Sequence, residues 1–376
     1  DAATIVPWEM YETYGDIRIL KKCYDMMKKW VEYQSSTDRR NYGVRTVDGK
    51  EVPEQSDLAT IPYIQVQQCR GDHLTYDNST PYIYSATAYA AHSADILRRT
   101  AYILGKTDDE KRYTELFENI KRAFNDAWVN DDGSVSYYGE VSSQTAHCGE
   151  SVALDGSVTR YTYYAENTPH CPSQTAYALA VDFDLIPKDK LKNTRKYFKN
   201  SILRNNGKLT VGFLGISRLA PALSKVGLDD VAFKLLEQED NPSWLYSVKN
   251  GATTIWERWN SYIAETGTFG DVSMNSFNHY SYGAIGQWFF TDILGIRPVE
   301  FGYKSFMLSP KFGGGLTYAK GSFTSPYGKI SSAWKLHDGK FTYDCTVPTN
   351  TTATLKLPNG DIHTLVGGSY HFEINV

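Results

Sequence analysis

Several features that mark large functional classes are scarce or missing in this chain. Its 376 residues hold five cysteines, Cys23, Cys69, Cys148, Cys171 and Cys345. An odd number scattered so widely argues for free thiols and against a disulfide framework. The pairs His147-Cys148 and His170-Cys171 could offer zinc ligands, but adjacent ligands lack the spacing of structural zinc sites, and no metal is expected. No apolar run approaches the roughly eighteen residues of a membrane span. There is no block of Lys and Arg, and the formal net charge is −4, which argues against a nucleic-acid partner. The glycine-flanked run 209–215 lacks the lysine of a phosphate loop. Neither a serine nucleophile elbow nor an H-E-x-x-H helix is present. The chain opens Asp-Ala-Ala-Thr, without an initiator methionine or a signal peptide. The natural polypeptide is therefore expected to begin earlier, and the compartment is not legible from this end.

Aromatic residues, by contrast, are abundant at 14%, with 28 tyrosines and 8 tryptophans. A carbohydrate-handling surface would account for them, as would a tyrosine-rich β region. Hydrophobic and charged shares of 41% and 22% are ordinary for a globular protein. The length allows one large domain with an appendage, or two domains.

Up to about residue 295 the pattern is helical and paired. In 82–104, Ile83, Ala86, Ala90, Ala94, Leu97, Ala101 and Leu104 recur at steps of three and four, which predicts a helix with one buried face. Gly105 stops it. Thr107-Asp108-Asp109 then caps a second helix, with Tyr113, Leu116, Phe117, Ile120, Ala123, Phe124 and Ala127 on one stripe. The unit recurs as 3–14 with 16–34, 173–185 with 188–200, and 212–226 with 229–238. A last helix is expected over 277–294. Nine helices in hairpins with long connections predict part of an (α/α)6 toroid, with the site on the loop side. After Pro298 the period changes to two, in Gly328–Leu336, Lys340–Val347, Thr351–Leu357 and His371–Val376, with turns at Asp338-Gly339 and Asn359-Gly360. The expected organisation is a helical domain over 1–297 and a small antiparallel β-sandwich over 298–376, an α+β multidomain chain.

Chemistry concentrates in 251–259, Gly-Ala-Thr-Thr-Ile-Trp-Glu-Arg-Trp, where Glu257 stands between two indoles. An amide- and aromatic-rich run, 274–280, follows. Indoles stack on the apolar faces of a pyranose, amides and imidazole bind its hydroxyls, and a carboxylate handles a proton. If 252–259 is extended, Glu257 and Trp259 share a face. Glu257 would then polarise a water while Trp259 walls the pocket. The plainer alternative is a salt bridge from Glu257 to a neighbouring arginine, with the indoles in the core. His279 is either a core histidine or a hydroxyl ligand near Glu257, and Trp244 either pocket wall or core. Glycoside hydrolysis ordinarily needs a second carboxyl group. Asp1, Glu54, Asp57, Asp77 and Glu150 have no distinguishing neighbours, so spacing leaves the acid unassigned.

Several runs together resemble the bacterial α-L-rhamnosidases of glycoside hydrolase family 78. They include 1–8, 90–97, 174–179, Gly212-Phe213-Leu214-Gly215, Asn241-Pro242-Ser243-Trp244, the Glu257 segment, Asn275–Tyr280 and 309–319, and they cover almost the whole chain. Thr-Thr-Ile-Trp-Glu-Arg-Trp and Asn-Ser-Phe-Asn-His-Tyr are the specific ones. The resemblance implies an (α/α)6 catalytic domain, a C-terminal β-sandwich, and hydrolysis of terminal α-L-rhamnosides with inversion. Glu257 matches the general base, and the general acid is implied in a stretch preceding Asp1. Asp1, Trp244, Trp259 and His279 are implied as sugar-binding residues. No cofactor is implied, and the partner is a rhamnose-containing glycoside. The chain departs from the pattern after Tyr42-Gly43, where relatives carry Asp-Trp and this sequence has Val44-Arg45. Two rival expectations remain: a carbohydrate-binding fragment without catalysis, and another toroidal glycosidase of trehalase-like or glucoamylase-like kind.

Overall fold

The computed structural model describes residues 1–36, 62–65, 71–77, 80–136 and 172–376, together with the backbone of four short strands elsewhere. Cys69, Cys171, His147, His170, Glu54 and Asp57 lie outside the described residues, as do the side chains of Val44, Arg45, Cys148 and Glu150. Cys23 and Cys345 are free thiols, and burial pushes the Cys345 thiol up to about 12.

The helices come in sequence-adjacent pairs. These are α1 (Ala2–Tyr14) with α2 (Ile17–Ser35), α3 (Tyr82–Ile103) with α4 (Thr107–Trp128), α5 (Gln174–Asp182) with α6 (Leu191–Leu203), and α7 (Phe213–Lys225) with α8 (Asp229–Leu236). Three of the pairs turn within two or three residues, and α5 joins α6 through the eight residues 183–190. At Gly15 the chain takes φ 66°, and its N–H closes on the Tyr11 carbonyl, a left-handed cap that glycine adopts without strain. A short helix, α9 (Trp244–Lys249), was not expected from periodicity, since six residues carry less than two turns of pattern. The predicted final helix begins later than expected, at Ser281. It passes from a 3-10 turn (Ser281–Ile285) through Gly286–Trp288 into a π turn (Phe289–Ile293). His279 therefore precedes it.

Burial divides the helices into two kinds. In α4 the buried residues Tyr113, Phe117, Ile120, Ala123, Phe124 and Trp128 form the single stripe that the periodicity predicts. In α3 burial runs around most of the circumference, through Tyr84, Ala88, Ala91, Ala94, Ile96, Leu97 and Ala101. A one-faced reading of α3 is thus corrected: its small residues are packed on several sides. α5 is buried along its whole first eight residues. It lies close against α7, where a Cβ on Gly215 would sit 2.4 Å from Thr175 Oγ1.

The glycine-flanked run into α7 has a structural answer. Asp72, buried, lays its carboxylate across the α7 N-terminus. Gly212 N–H donates to Oδ2 at 2.8 Å, and the Leu214 and Gly215 N–H groups donate to Oδ1 at 2.8 and 3.0 Å. The Thr175 hydroxyl completes the cage. A carboxylate from a distant loop thus occupies the position where a helix start would hold an anion. Burial raises the Asp72 carboxyl above the usual range, against the opposing pull of these four donors.

Four short strands form two hairpins, β1 (Val44–Val47) with β2 (Lys50–Pro53) and β3 (Cys148–Val152) with β4 (Val158–Thr162). A third hairpin, β5 (Tyr262–Ile263) with β6 (Thr268–Phe269), stands between the Glu257 segment and the 274–280 run. The C-terminal strands are β7 (Ile296–Pro298), β8 (Ser305–Leu308), β9 (Tyr318–Ser325), β10 (Gly328–His337), β11 (Lys340–Val347), β12 (Thr352–Lys356), β13 (Ile362–Leu365) and β14 (Gly368–Asn375). They make two four-stranded sheets, ordered β14-β11-β10-β9 and β13-β12-β8-β7. The first is antiparallel as expected. The second is mixed, because β12 runs parallel to β8, so the all-antiparallel reading is corrected here. The architecture is helical hairpins followed by two small sheets, whose core holds Phe306, Leu308, Ile330, Trp334, Phe341 and Leu355.

Candidate active site

The segment 252–259 is not a strand. It runs as bends and turns, so Glu257 and Trp259 do not share a strand face. What shapes the segment is pairing with the run nineteen residues further on. Glu257 N–H donates to the Ser276 carbonyl at 2.9 Å, and His279 N–H donates to the Ile255 carbonyl at 2.8 Å. The Thr254 hydroxyl donates to the Phe277 carbonyl. The two runs that carry the sequence signal are therefore zipped together.

This pairing fixes the carboxylate. Ser276 N–H donates to Glu257 Oε2 at 2.7 Å, and Oε1 lies 4.0 Å from His279 Nε2. The Glu257 side chain is 12% exposed and that of His279 26%, so both are partly shielded yet reachable. Ser281 N–H points at His279 Nδ1 from 3.4 Å, which favours the tautomer with its proton on Nε2, facing Glu257. Arg258, the adjacent guanidinium, turns elsewhere. Its Nε donates to the Met274 carbonyl at 2.8 Å and its Nη2 to Asp271 at 3.0 Å. The salt bridge that would have made Glu257 a structural residue is made by Asp271 instead. The Ser273 hydroxyl and N–H, followed by the weaker pull of Arg258, hold the Asp271 carboxyl below the usual range. Both contacts favour the charged form of this clasp.

The indoles gather on a separate arrangement. Trp259, 2% exposed, stacks on Tyr282 with ring centroids 3.9 Å apart and meets Trp244 edge-on at 5.4 Å. Trp244 sits at the start of α9, where the Ser243 hydroxyl caps the helix by accepting from Tyr246 N–H. Its Nε1 donates to the Tyr282 carbonyl at 2.9 Å. Together with Trp256 and Ile255 these rings line a cavity of about 250 Å³, whose wall does not include Glu257. Asp1 stands at the head of α1, where its carbonyl accepts from Thr4 and Ile5 N–H and its carboxylate accepts from Trp30 Nε1 at 3.3 Å. The structure thus brings Glu257 and His279 together, groups Trp244 with Trp259, and describes Asp1 in its own setting. Sequence reasoning missed Ser276 and Tyr282. Backbone donors leave no residue-type signal, and Tyr282 is one tyrosine among 28.

The structure thus carries a partly shielded carboxylate beside an imidazole on the loops of a helical-hairpin domain. The comparisons give the family. Residues 1–293 match the bacterial alpha-L-rhamnosidase 6 hairpin glycosidase domain, and residues 295–372 match the bacterial alpha-L-rhamnosidase C-terminal domain. The chain belongs to this bacterial alpha-L-rhamnosidase family. It is 34% identical over 367 residues to an alpha-L-rhamnosidase of Formosa agariphila, covering 97% of this chain and 34% of that protein. With one from Streptomyces avermitilis it shares 35% over 359 residues, 95% of this chain and 29% of that protein. The chain thus spans about a third of the length of these relatives. Among solved structures, the Streptomyces avermitilis alpha-L-rhamnosidase complexed with L-rhamnose superposes with a TM-score of 0.80 at 32% identity, covering all of this chain and 33% of that one. The Aspergillus terreus alpha-L-rhamnosidase gives 0.75 at 29% identity, over 99% of this chain and 38% of that one. Among the described residues no group of three or more His, Cys, Asp or Glu could hold a metal, and no helix is long and apolar enough to cross a membrane.

Proposed function

We propose that this chain contributes the base half of an inverting glycoside hydrolase that releases terminal α-L-rhamnose. The observation that carries the reading is the Glu257 carboxylate, anchored through one oxygen by Ser276 N–H and passed over by Arg258. One oxygen held by a backbone donor keeps the carboxylate oriented, and the other is left to take a proton from water as it attacks the anomeric carbon. His279 Nε2 stands where it can bind a sugar hydroxyl or that water. In an inverting pair the two carboxyl groups stand roughly 6.5–9.5 Å apart, so that the water fits between base and sugar. The acid that protonates the leaving oxygen is not assigned to a residue of this chain. Asp1, Trp244 and Trp259 are proposed as sugar-binding residues on the family resemblance. From the change of sequence period after Pro298 we propose 297/298 as the boundary between the helical and β domains, a position that β7 of the second sheet straddles.

The test is hydrolysis of 4-nitrophenyl α-L-rhamnoside by the full-length protein, followed by proton NMR of the sugar as it is released. Appearance first of the anomer opposite in configuration to the substrate supports the reading. Release with retained configuration, or turnover of glucosides but not rhamnosides, rejects it.

A further inference from the structure

We propose that Tyr280 is a stacking platform for the ring to which the rhamnose is attached, so that the site prefers ring-bearing leaving groups over small ones. The inference rests on the hydrolase reading above and extends it to the substrate class.

Three aromatic side chains near the Glu257 cluster are turned out to solvent, Tyr280 at 87%, Phe269 at 58% and Phe277 at 37% exposed. Single exposed rings are common, but several rings beside a carboxylate call for an occupant. Tyr280 is the most open of them and also the most closely tied to the site. Its ring lies within 4° of parallel to the His279 imidazole, with centroids 5.6 Å apart. At that separation the two rings run parallel without covering one another, and the Tyr280 ring is left open to solvent. Carboxylate, imidazole and phenol follow one another, Glu257 Oε1 to His279 Nε2 at 4.0 Å and His279 to Tyr280 at 5.6 Å. A ring resting on Tyr280 is then about one sugar unit removed from a sugar bound at His279.

Phe277 and Phe269 extend the apolar surface. Phe277 meets Trp256 edge-on at 5.2 Å, and Phe269 meets Phe277 edge-on at 5.6 Å, so these rings are braced from the buried Trp256 outward. Polar groups lie between them along the chain, with Asn278 exposed next to His279 and Asp271 and Ser273 exposed next to β6. Aromatic faces interrupted by hydroxyl-binding groups suit a pyranose or an aryl ring, both of which present an apolar face with polar edges.

The experiment compares wild type, Tyr280→Ala and Tyr280→Phe in the full-length protein on three substrates. These are methyl α-L-rhamnoside, with no second ring, 4-nitrophenyl α-L-rhamnoside, with an aryl ring, and an α-L-rhamnosyl-glucose disaccharide, with a sugar ring. Tyr280→Ala is expected to raise KM for the ring-bearing substrates about ten-fold, as the loss of one stacked ring does, while kcat and the methyl rhamnoside constants hold. Tyr280→Phe keeps the face and should keep wild-type values. A response confined to the disaccharide assigns the platform to sugars, and one confined to the nitrophenyl substrate assigns it to aryl aglycones. An equal loss on all three substrates, or no change on any, overturns the platform while leaving the hydrolase reading intact. Absence of turnover on all three by wild type overturns both.

Discussion

Glu257 shows how little of the proposed base's environment depends on residue type alone. Its immediate neighbour Arg258 is the group that would neutralise it, and the chain prevents this by giving the guanidinium two better-placed acceptors, Asp271 and the Met274 carbonyl. The remaining definition comes from a backbone N–H at Ser276 and an imidazole at His279. Glu257→Gln separates the chemical role from the structural one. The amide oxygen can still accept from Ser276 N–H, so the loop pairing should persist and the melting temperature should hold within a degree or two. A general base supplies about 10²–10⁴-fold, so kcat for 4-nitrophenyl α-L-rhamnoside in the full-length protein should fall by that factor. KM should change little, because the lost interaction belongs to the transition state. Unchanged kcat in a folded variant would remove Glu257 from the mechanism.

Between elements, two carboxylates do work that resembles site chemistry and is structural. The Asp72 cage joins residues 71–77 to the start of α7 with four donors converging on one side chain. Asp72→Asn puts an NH2 group against donors that need an acceptor, and should lower stability by about 3 kcal/mol in urea unfolding, in line with leaving buried donors unmet. A loss under 0.5 kcal/mol would mean the donors find water. Asp109 in α4 accepts from the Tyr24 hydroxyl at 2.7 Å and from Lys28 Nζ at 2.9 Å. Burial works to raise its carboxyl, but these two partners and the charge of Lys106 outweigh it, and the net shift is downward. A lowered folded-state value means that the tie stabilises above the unfolded aspartate range near 4 and is lost as pH falls through the lower folded value. The stability gap between wild type and Asp109→Asn, on the order of 0.5 kcal/mol for so open a pair, should be constant above about pH 5 and close as pH falls below the unfolded aspartate range. A gap that grows in acid would contradict the sign.

The same scale shows what the sequence could convey. α2 and α4 were legible because a one-sided stripe repeats over five or more turns, and the hairpin turns because Gly15 and Gly105 take positive φ. α3 was legible as a helix but not as one packed on several sides, since alanines satisfy a stripe and a fully buried cylinder equally well. The irregular form of 252–259 and the parallel β8–β12 pair both depend on partners far along the chain, and local periodicity carries no record of them. Glu257 and His279 were legible as a pair only through side-chain chemistry; the Ser276 donor that orients the carboxylate was not.

At the scale of the whole chain, the passage from helices to sheets runs through a buried carboxylate. Asp292 ends the helical run with its side chain 2% exposed, and it is held by Arg297 of β7, by Lys311 Nζ at 3.1 Å and by the Thr291 hydroxyl at 2.8 Å. Lys311 also reaches Asp229 of α8 at 2.7 Å, so one lysine ties a helix of the hairpin domain to the segment between β8 and β9. Two further bonds cross the same passage, Trp334 Nε1 to the Ile293 carbonyl at 2.9 Å and Ser332 Oγ to the Leu294 carbonyl at 2.7 Å. Removing the shared carboxylate leaves Arg297 without its charged partner and Lys311 with Asp229 alone, and breaking a buried pair in this way costs about 3–5 kcal/mol. Asp292→Ala should therefore lose at least about 3 kcal/mol in chemical denaturation. The indole and hydroxyl bonds to the helix end remain, so the strands should still unfold together with the last helical run in one transition. Far-ultraviolet dichroism and the fluorescence of the buried Trp334 would then move at the same denaturant concentration. If they part, with the tryptophan signal lost first, the carboxylate rather than the indole is what makes the two regions cooperative.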